Sequence, residues 1–140
     1  MKEIEFEIVR MILKLGNQLN NMRDIDLEQK NLTTVQSETM LFFGANEGAT
    51  VTNLKDHLRI SHQAARNIVE RLKNKKYLYT AASEEDRRSN AVFLTEEGKK
   101  LFFSLRGTGN VVGNTLLAGF SAQEKALLLR LIDKASGNMR

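Results

Sequence analysis

Residues 61–101 read SHQAARNIVERLKNKKYLYTAASEEDRRSNAVFLTEEGKKL, and the fold turns on this stretch. In its first part Ala65, Ile68, Val69 and Leu72 recur at spacings of three and four, which places them on one buried stripe of an amphipathic helix from Ser61 to about Lys75. Ser61 suits the N-cap, because its hydroxyl can accept a hydrogen bond from a first-turn N–H that has no partner inside the helix. The other faces of that helix carry His62, Gln63, Arg66, Asn67, Glu70, Arg71 and Lys73. Leu78 to Ala82 and Ala91 to Thr95 then read as two short strands. The charged and small polar run between them, SEEDRRSN at 83–90, is too long for a two-residue hairpin turn and predicts a projecting loop. Thr95-Glu96-Glu97-Gly98 opens a further helix, with the threonine as cap and the two carboxylates complementing the positive end of the helix dipole.

Upstream, Thr52 to about Leu58 predicts a short helix with Thr52 as N-cap and Leu54 and Leu58 facing inward, joined to the Ser61 helix by the tight connection Arg59-Ile60. Thr33 or Thr34 caps an earlier helix running to about Asn46. Val35, Met40, Leu41 and Phe43 form its apolar face, and Gly48 is suited to a left-handed position after its end. Residues 3–22 predict a first helix with Ile4, Ile8, Met11/Ile12, Leu15, Leu19 and Met22 in one stripe, and with Phe6, Val9 and Leu13 on a second apolar side. A helix apolar on two sides needs two partners, its own domain and another subunit. The polar stretch from Asn20 to Leu32 predicts mostly loop. Downstream, Leu101, Phe102, Leu105, Val112, Leu116 and Leu117 continue the helix that Thr95 opens. A bend or break is expected near Gly107–Asn110, since an interior glycine costs ~1 kcal/mol. Ser121-Ala122-Gln123-Glu124 is a capping box for a last helix running to about Ala135, apolar at Leu127, Leu128, Leu129, Leu131 and Ile132.

The 140 residues fit one domain, with 41% hydrophobic and 27% charged side chains. Cysteine is absent, which excludes a disulfide scaffold, a thiolate metal site, a cysteine nucleophile and a thiol redox switch. Proline and tryptophan are absent too. No apolar run reaches membrane-spanning length, and the acidic amphipathic start argues against a signal peptide, so a helix-rich cytoplasmic domain without a membrane partner is expected. The formal charge of +4 is unevenly spread: from 59 to 76, Arg59, Arg66, Arg71, Lys73, Lys75 and Lys76 stand against Glu70 alone. A polyanion would meet the middle of the chain.

Helix, short helix, tight turn, helix, strand, basic loop, strand is the order of a helix-turn-helix followed by a wing. The residue types agree with DNA as the partner. Gln63 can bond adenine in a bidentate way and Arg66 guanine, while Ala64 leaves room for a thymine methyl, with Ser61 and His62 at the same helix end. Thr52 and Asn53 can offer backbone N–H groups to a phosphate. Asn67, Arg71 and Lys73 extend the polar face along the helix. Arg87 and Arg88 can reach a narrow minor groove, with Asp86 holding the Arg88 guanidinium in place.

From Thr34 to Phe102 the chain resembles the MarR family of winged-helix transcription regulators. The resemblance is carried by the Ser61–Leu72 helix with Arg71-Leu72, and by DRRSNAVFLTEEGKKL at 86–101 with its Asp-x-Arg, apolar strand and Leu-Thr-x-x-Gly. It implies a mainly α (α+β) fold. Residues 34–102 would form a winged helix-turn-helix lobe and residues 1–22 and 103–140 a helical dimerisation region within one domain. It also implies a homodimer, probing a pseudo-palindromic operator on double-stranded DNA, a repressor role, and release by a small aromatic or lipophilic effector. Lys76 departs from the family, which has glycine after the recognition helix; the helix end must close differently, or Lys76 adopts left-handed backbone. The Gly107–Gly113 segment departs as well.

Two other function classes have less support. A winged helix that binds protein would carry an uncharged or apolar outer face on the Ser61 helix, which this one does not. An enzyme would need a catalytic constellation, and none stands out. His57 and His62 are the only histidines and no carboxylate cluster completes a metal site, so neither a metal nor another cofactor is expected.

Overall fold

The computed structural model describes residues 3–82 and 90–140. The elements run α1 (Ile4–Gln29), α2 (Thr34–Ala45), α3 (Val51–Leu58), α4 (His62–Asn74), β1 (Leu78–Ala82), β2 (Asn90–Leu94), α5 (Glu96–Leu116) and α6 (Ala122–Asn138). This is the mainly α winged-helix order that the sequence predicts. The chain divides into two compact units, Met1–Thr108 and Gly109–Arg140.

The first unit is built around one apolar core. Met40 and Phe43 of α2, Leu54 of α3, and Ala65, Val69 and Leu72 of α4 meet Leu78 and Val92 of the sheet, and Leu27 of α1 and Leu101, Phe102 and Leu105 of α5 belong to the same core. β1 and β2 pair antiparallel, in register from Leu78 opposite Leu94 to Ala82 opposite Asn90. On its other edge β2 takes up the chain between α2 and α3. The Gly48 N–H donates to the Val92 carbonyl (2.9 Å), the Val92 N–H donates to the Ala49 carbonyl (2.8 Å), and Thr50 bridges Ala91. Gly48 makes this possible by adopting φ +89°.

Local signals place most helix starts. Thr33 caps α2 in a capping box with Gln36, Ser61 caps α4 through the Ala64 N–H, and Ser121 caps α6 in a box with Glu124. Thr95 caps α5: its hydroxyl accepts from the Gly98 N–H (3.0 Å) and donates to the Lys76 carbonyl (2.6 Å). That cap ends β2 at Leu94, one residue earlier than the sequence predicts.

Four expectations need correction. α1 continues to Gln29 through the stretch expected to be loop, because nothing there breaks a helix and Leu27, 3% exposed, anchors it in the core, with Lys30 paired to Asp26 one turn back. Thr50, not Thr52, caps α3, because Asn53 three residues later returns its side-chain oxygen to the Thr50 N–H (2.9 Å). Val35 is 44% exposed, and the inward face of α2 is completed instead by Thr39, whose buried hydroxyl bonds the Val35 carbonyl (2.8 Å). The break expected near Gly107–Asn110 is absent, since α5 is one helix from Glu96 to Leu116. Glycine weakens a helix but keeps its N–H, so Gly107, Gly109 and Gly113 do not end it.

α4 closes in a Schellman turn: the Tyr77 N–H bonds the Leu72 carbonyl (3.0 Å), and Lys76 takes the left-handed place at φ +67°. A side chain in that region is strained, so Lys76→Gly is expected to raise stability by about 0.5–1 kcal/mol in thermal or denaturant unfolding. A variant less stable than wild type would show that the Lys76 side chain makes up the strain elsewhere.

Candidate nucleic-acid interface

α4 presents its polar residues because its core stripe fixes its rotation. With Ala65, Val69 and Leu72 buried, Ser61, His62, Gln63, Arg66, Asn67 and Arg71 are exposed and Ala64 and Lys73 half-buried. The N-terminal half organises itself through i,i+4 contacts. The Gln63 amide donates to Asn67 Oδ1 (2.9 Å), and the Arg66 guanidinium lies 3.4 Å from His62 Nε2. These contacts hold two long polar side chains upright without using up all of their donors, which lowers the ordering entropy of a base contact.

His62, Arg66 and Lys73 share one cleft with Thr52, at the start of α3, and with Thr80 in the middle of β1 and Asn90 at the start of β2; its volume is about 160 Å³. The structure thus gathers the start of α3, one flank of α4 and the root of the wing around a single polar opening. Gln63, Asn67 and Arg71 lie on the neighbouring stripe of α4, at spacings of four.

Thr52 and Asn53 differ in what they can offer. The Asn53 N–H is taken by the Thr50 hydroxyl (3.2 Å), and its side-chain oxygen by the Thr50 N–H and hydroxyl. Thr52, second residue of α3, lies in the first turn, where N–H groups have no intrahelical acceptor. Asp86, Arg87 and Arg88 lie outside the described residues.

Three participants were not singled out from the sequence. Thr80 and Asn90 line the cleft together because the antiparallel register sets Asn90 opposite Ala82, two residues from Thr80 and so on the same face of the sheet, and only the register reveals that. Glu70 also lines it and holds Lys73 Nζ at 3.3 Å. A carboxylate on an otherwise cationic face turns Lys73 from a free charge into half of a pair, and works against indiscriminate attraction to polyanions. Among the described residues no group of three histidine or acidic side chains is placed to hold a metal ion.

Comparisons with known proteins agree with this geometry. Residues 30–89 match the family model described as MarR family, a span that begins just after α1 and takes in α2, α3, α4 and β1. A curated relative in Bacillus subtilis (strain 168), named an uncharacterised HTH-type transcriptional regulator, YybA, is 23% identical over 133 residues, or 95% of this chain and 89% of that protein. Among solved structures, an S. aureus MepR–DNA complex superposes with a TM-score of 0.83 at 21% identity, over 99% of this chain and 100% of that one. A putative MarR family transcriptional regulator from Listeria monocytogenes, complexed with a 26mer DNA, gives 0.82 at 22% identity, over 99% and 90%. The fold is that of the MarR and SlyA winged-helix proteins.

Proposed function

We propose, since residues 30–89 match the MarR family model, that this chain is a sequence-specific double-stranded DNA-binding transcription regulator acting as a homodimer. The observation that carries the reading is the exposed N-terminal half of α4, with His62, Gln63, Arg66 and Asn67 presented beside a cleft shared with Thr52, Lys73 and the wing root. The helix bears the residue types that read base edges, and its flanks bear the cations and hydroxyls that take phosphates. That two of the structural neighbours were solved with DNA supports it.

The homodimer rests on apolar surface that each unit leaves open by itself. In α1 only Leu27 is buried, while Ile4, Phe6, Ile8, Val9, Met11, Ile12 and Leu13 are all more than half exposed; α6 has no buried residue and exposes Leu129 and Ile132. Patches of that extent mark an interface. Two copies related by a two-fold axis would cover them with α1 and the chain from 103 onward, and set the two lobes of residues 34–102 on the half-sites of a pseudo-palindromic operator. The reading extends to repression, by occupying a promoter, and to release by a small aromatic or lipophilic molecule. The hollow of about 790 Å³ on this face is lined by α1 residues alone, among them Phe6, Met11 and Leu13, and suits a covering helix better than an enclosed ligand. No helix among the described residues is long and apolar enough to cross a membrane. A regulator of this kind works where the DNA is, in the cytoplasm.

The test is affinity for the DNA upstream of the chain's own gene against a scrambled duplex, across a salt series. Specific binding that weakens steeply with salt is expected. Arg66→Ala should cost the operator about 1–3 kcal/mol while leaving the scrambled duplex much less affected. Equal weak binding to both duplexes would favour a winged helix that meets protein instead.

A further inference from the structure

Among the described residues three that are not glycine hold left-handed backbone: Asn31, Arg59 and Lys76. Asparagine tolerates that region, and the Asn31 carbonyl accepts from Lys75 Nζ (2.7 Å). Lys76 closes α4. Arg59 is different. It stands in the turn between α3 and α4 at φ +57°, and its N–H bonds the Lys55 carbonyl. Glycine would make that turn without strain. The Arg59 side chain is exposed and makes no hydrogen bond, ion pair or ring contact among the described residues, so the fold draws no polar or ring contact from it in return. The neighbouring cation, Lys55, is held by Asp56 at 3.1 Å, which leaves Arg59 the uncommitted charge of the turn. Strain held by an exposed residue without a polar partner points to function.

We infer that Arg59 is a further DNA-contact residue, one whose guanidinium takes a backbone phosphate at the edge of the groove that α4 enters. The inference rests on the proposed DNA-binding role of α4. Arg59 precedes the N-cap Ser61 by two residues, so its backbone stands beside the end of α4 that carries His62 and Gln63, the end that would face the bases in the proposed role. The cleft at the wing root lies along the His62, Arg66 and Lys73 flank, and Arg59 is not among its lining residues. Arg59 thus adds a cation at the leading end of the helix, apart from that cleft. A planar guanidinium with five donors matches a phosphate better than an ammonium does, and a phosphate contact from the turn fixes how deeply α4 sits without reading sequence.

Arg59→Gly and Arg59→Lys test this by thermal unfolding and by salt titration of duplex binding. Arg59→Gly is expected to unfold at or above the wild-type temperature. It should bind operator and scrambled duplex alike more weakly, about fivefold per lost contact near 0.15 M salt, and flatten the plot of log affinity against log salt by ~1 per copy of the chain. Arg59→Lys is expected to keep the wild-type salt slope. Unchanged affinity and slope in Arg59→Gly would overturn the assignment, and so would a loss confined to the operator. A wild-type protein with no salt-dependent duplex binding would instead sink the DNA-binding reading itself, and the Arg59 contact with it.

Discussion

Gly98→Ala is expected to destabilise the protein by about 2–4 kcal/mol, lowering the midpoint of thermal unfolding by about 10 °C. The junction between the end of α4 and the start of α5 is the reason. The Thr95 N–H donates to the Tyr77 carbonyl (3.1 Å) and the Thr95 hydroxyl to the Lys76 carbonyl, so the first turn of α5 is stitched to the chain entering β1. Gly98, buried in that turn, lies against the same Tyr77 carbonyl, and a Cβ added there would overlap its oxygen. Both sides of the clash are backbone, so no rotamer change relieves it. The turn must lift, which lengthens the Thr95 bonds and loosens the packing of Leu94 and Leu101 beneath. Alanine's better helix propensity, ~1 kcal/mol at most, is the smaller effect. Gly107→Ala, in the same helix, is the control. Its Cβ would meet nothing within 4 Å, and it is expected to stabilise by about 0.5–1 kcal/mol. The two substitutions should therefore move circular-dichroism melting curves in opposite directions. A Gly98→Ala variant that melts with the wild type would show that the turn lifts freely, and that the glycine of Leu-Thr-x-x-Gly has no packing role.

Much of this architecture is legible in the sequence because its signals are local. The α4 stripe, the Ser61, Thr95 and Ser121 caps and the two strands each follow from a period or from a side chain bonding within three residues. The misplaced features depend on contacts between distant residues or on a choice between near-equals. The polar second half of α1 stays helical through the docking of one leucine, Leu27, against residues from far along the chain. Thr50 and Thr52 are both fair caps, and Asn53 decides between them with a side chain that could have been read as a box residue. The interface divides in the same way. The exposed face of α4 follows from residue type and helical period. The company it keeps, Thr80 and Asn90 across the cleft and Glu70 on Lys73, follows from the sheet register and side-chain placement. The strain at Arg59 is a backbone fact with no sequence signature beyond an arginine where a glycine would sit more easily.

Ile8→Asp combined with Ile12→Asp is expected to convert the protein to a monomer and to weaken operator binding by two orders of magnitude or more. Ile8 and Ile12 stand one turn apart on α1, 51% and 59% exposed, outside the core that holds the winged helix together. Within a single chain their replacement removes no core contact. Within the proposed dimer each isoleucine buries side chain worth roughly 1.5–3 kcal/mol, and a two-fold axis doubles every change. A carboxylate in that seam adds the cost of desolvating an unpaired charge, several kcal/mol at each site, beside an already acidic Glu5 and Glu7. The dimer would give way before the lobe. Operator binding follows the dimer because linking two half-site contacts multiplies affinity by the effective concentration of the second, a factor of about 10²–10⁴ that a monomer forfeits. Sedimentation equilibrium, circular dichroism and duplex titration on one preparation separate the possibilities. Ile8→Leu with Ile12→Met, which keeps the apolar surface, should remain dimeric and bind as the wild type does. A doubly charged variant that still sediments as a dimer would remove this face of α1 from the subunit seam. One that is monomeric, folded and fully active on the operator would show that a single winged helix supplies all of the affinity, and that the exposed apolar face of α1 serves some purpose other than DNA binding.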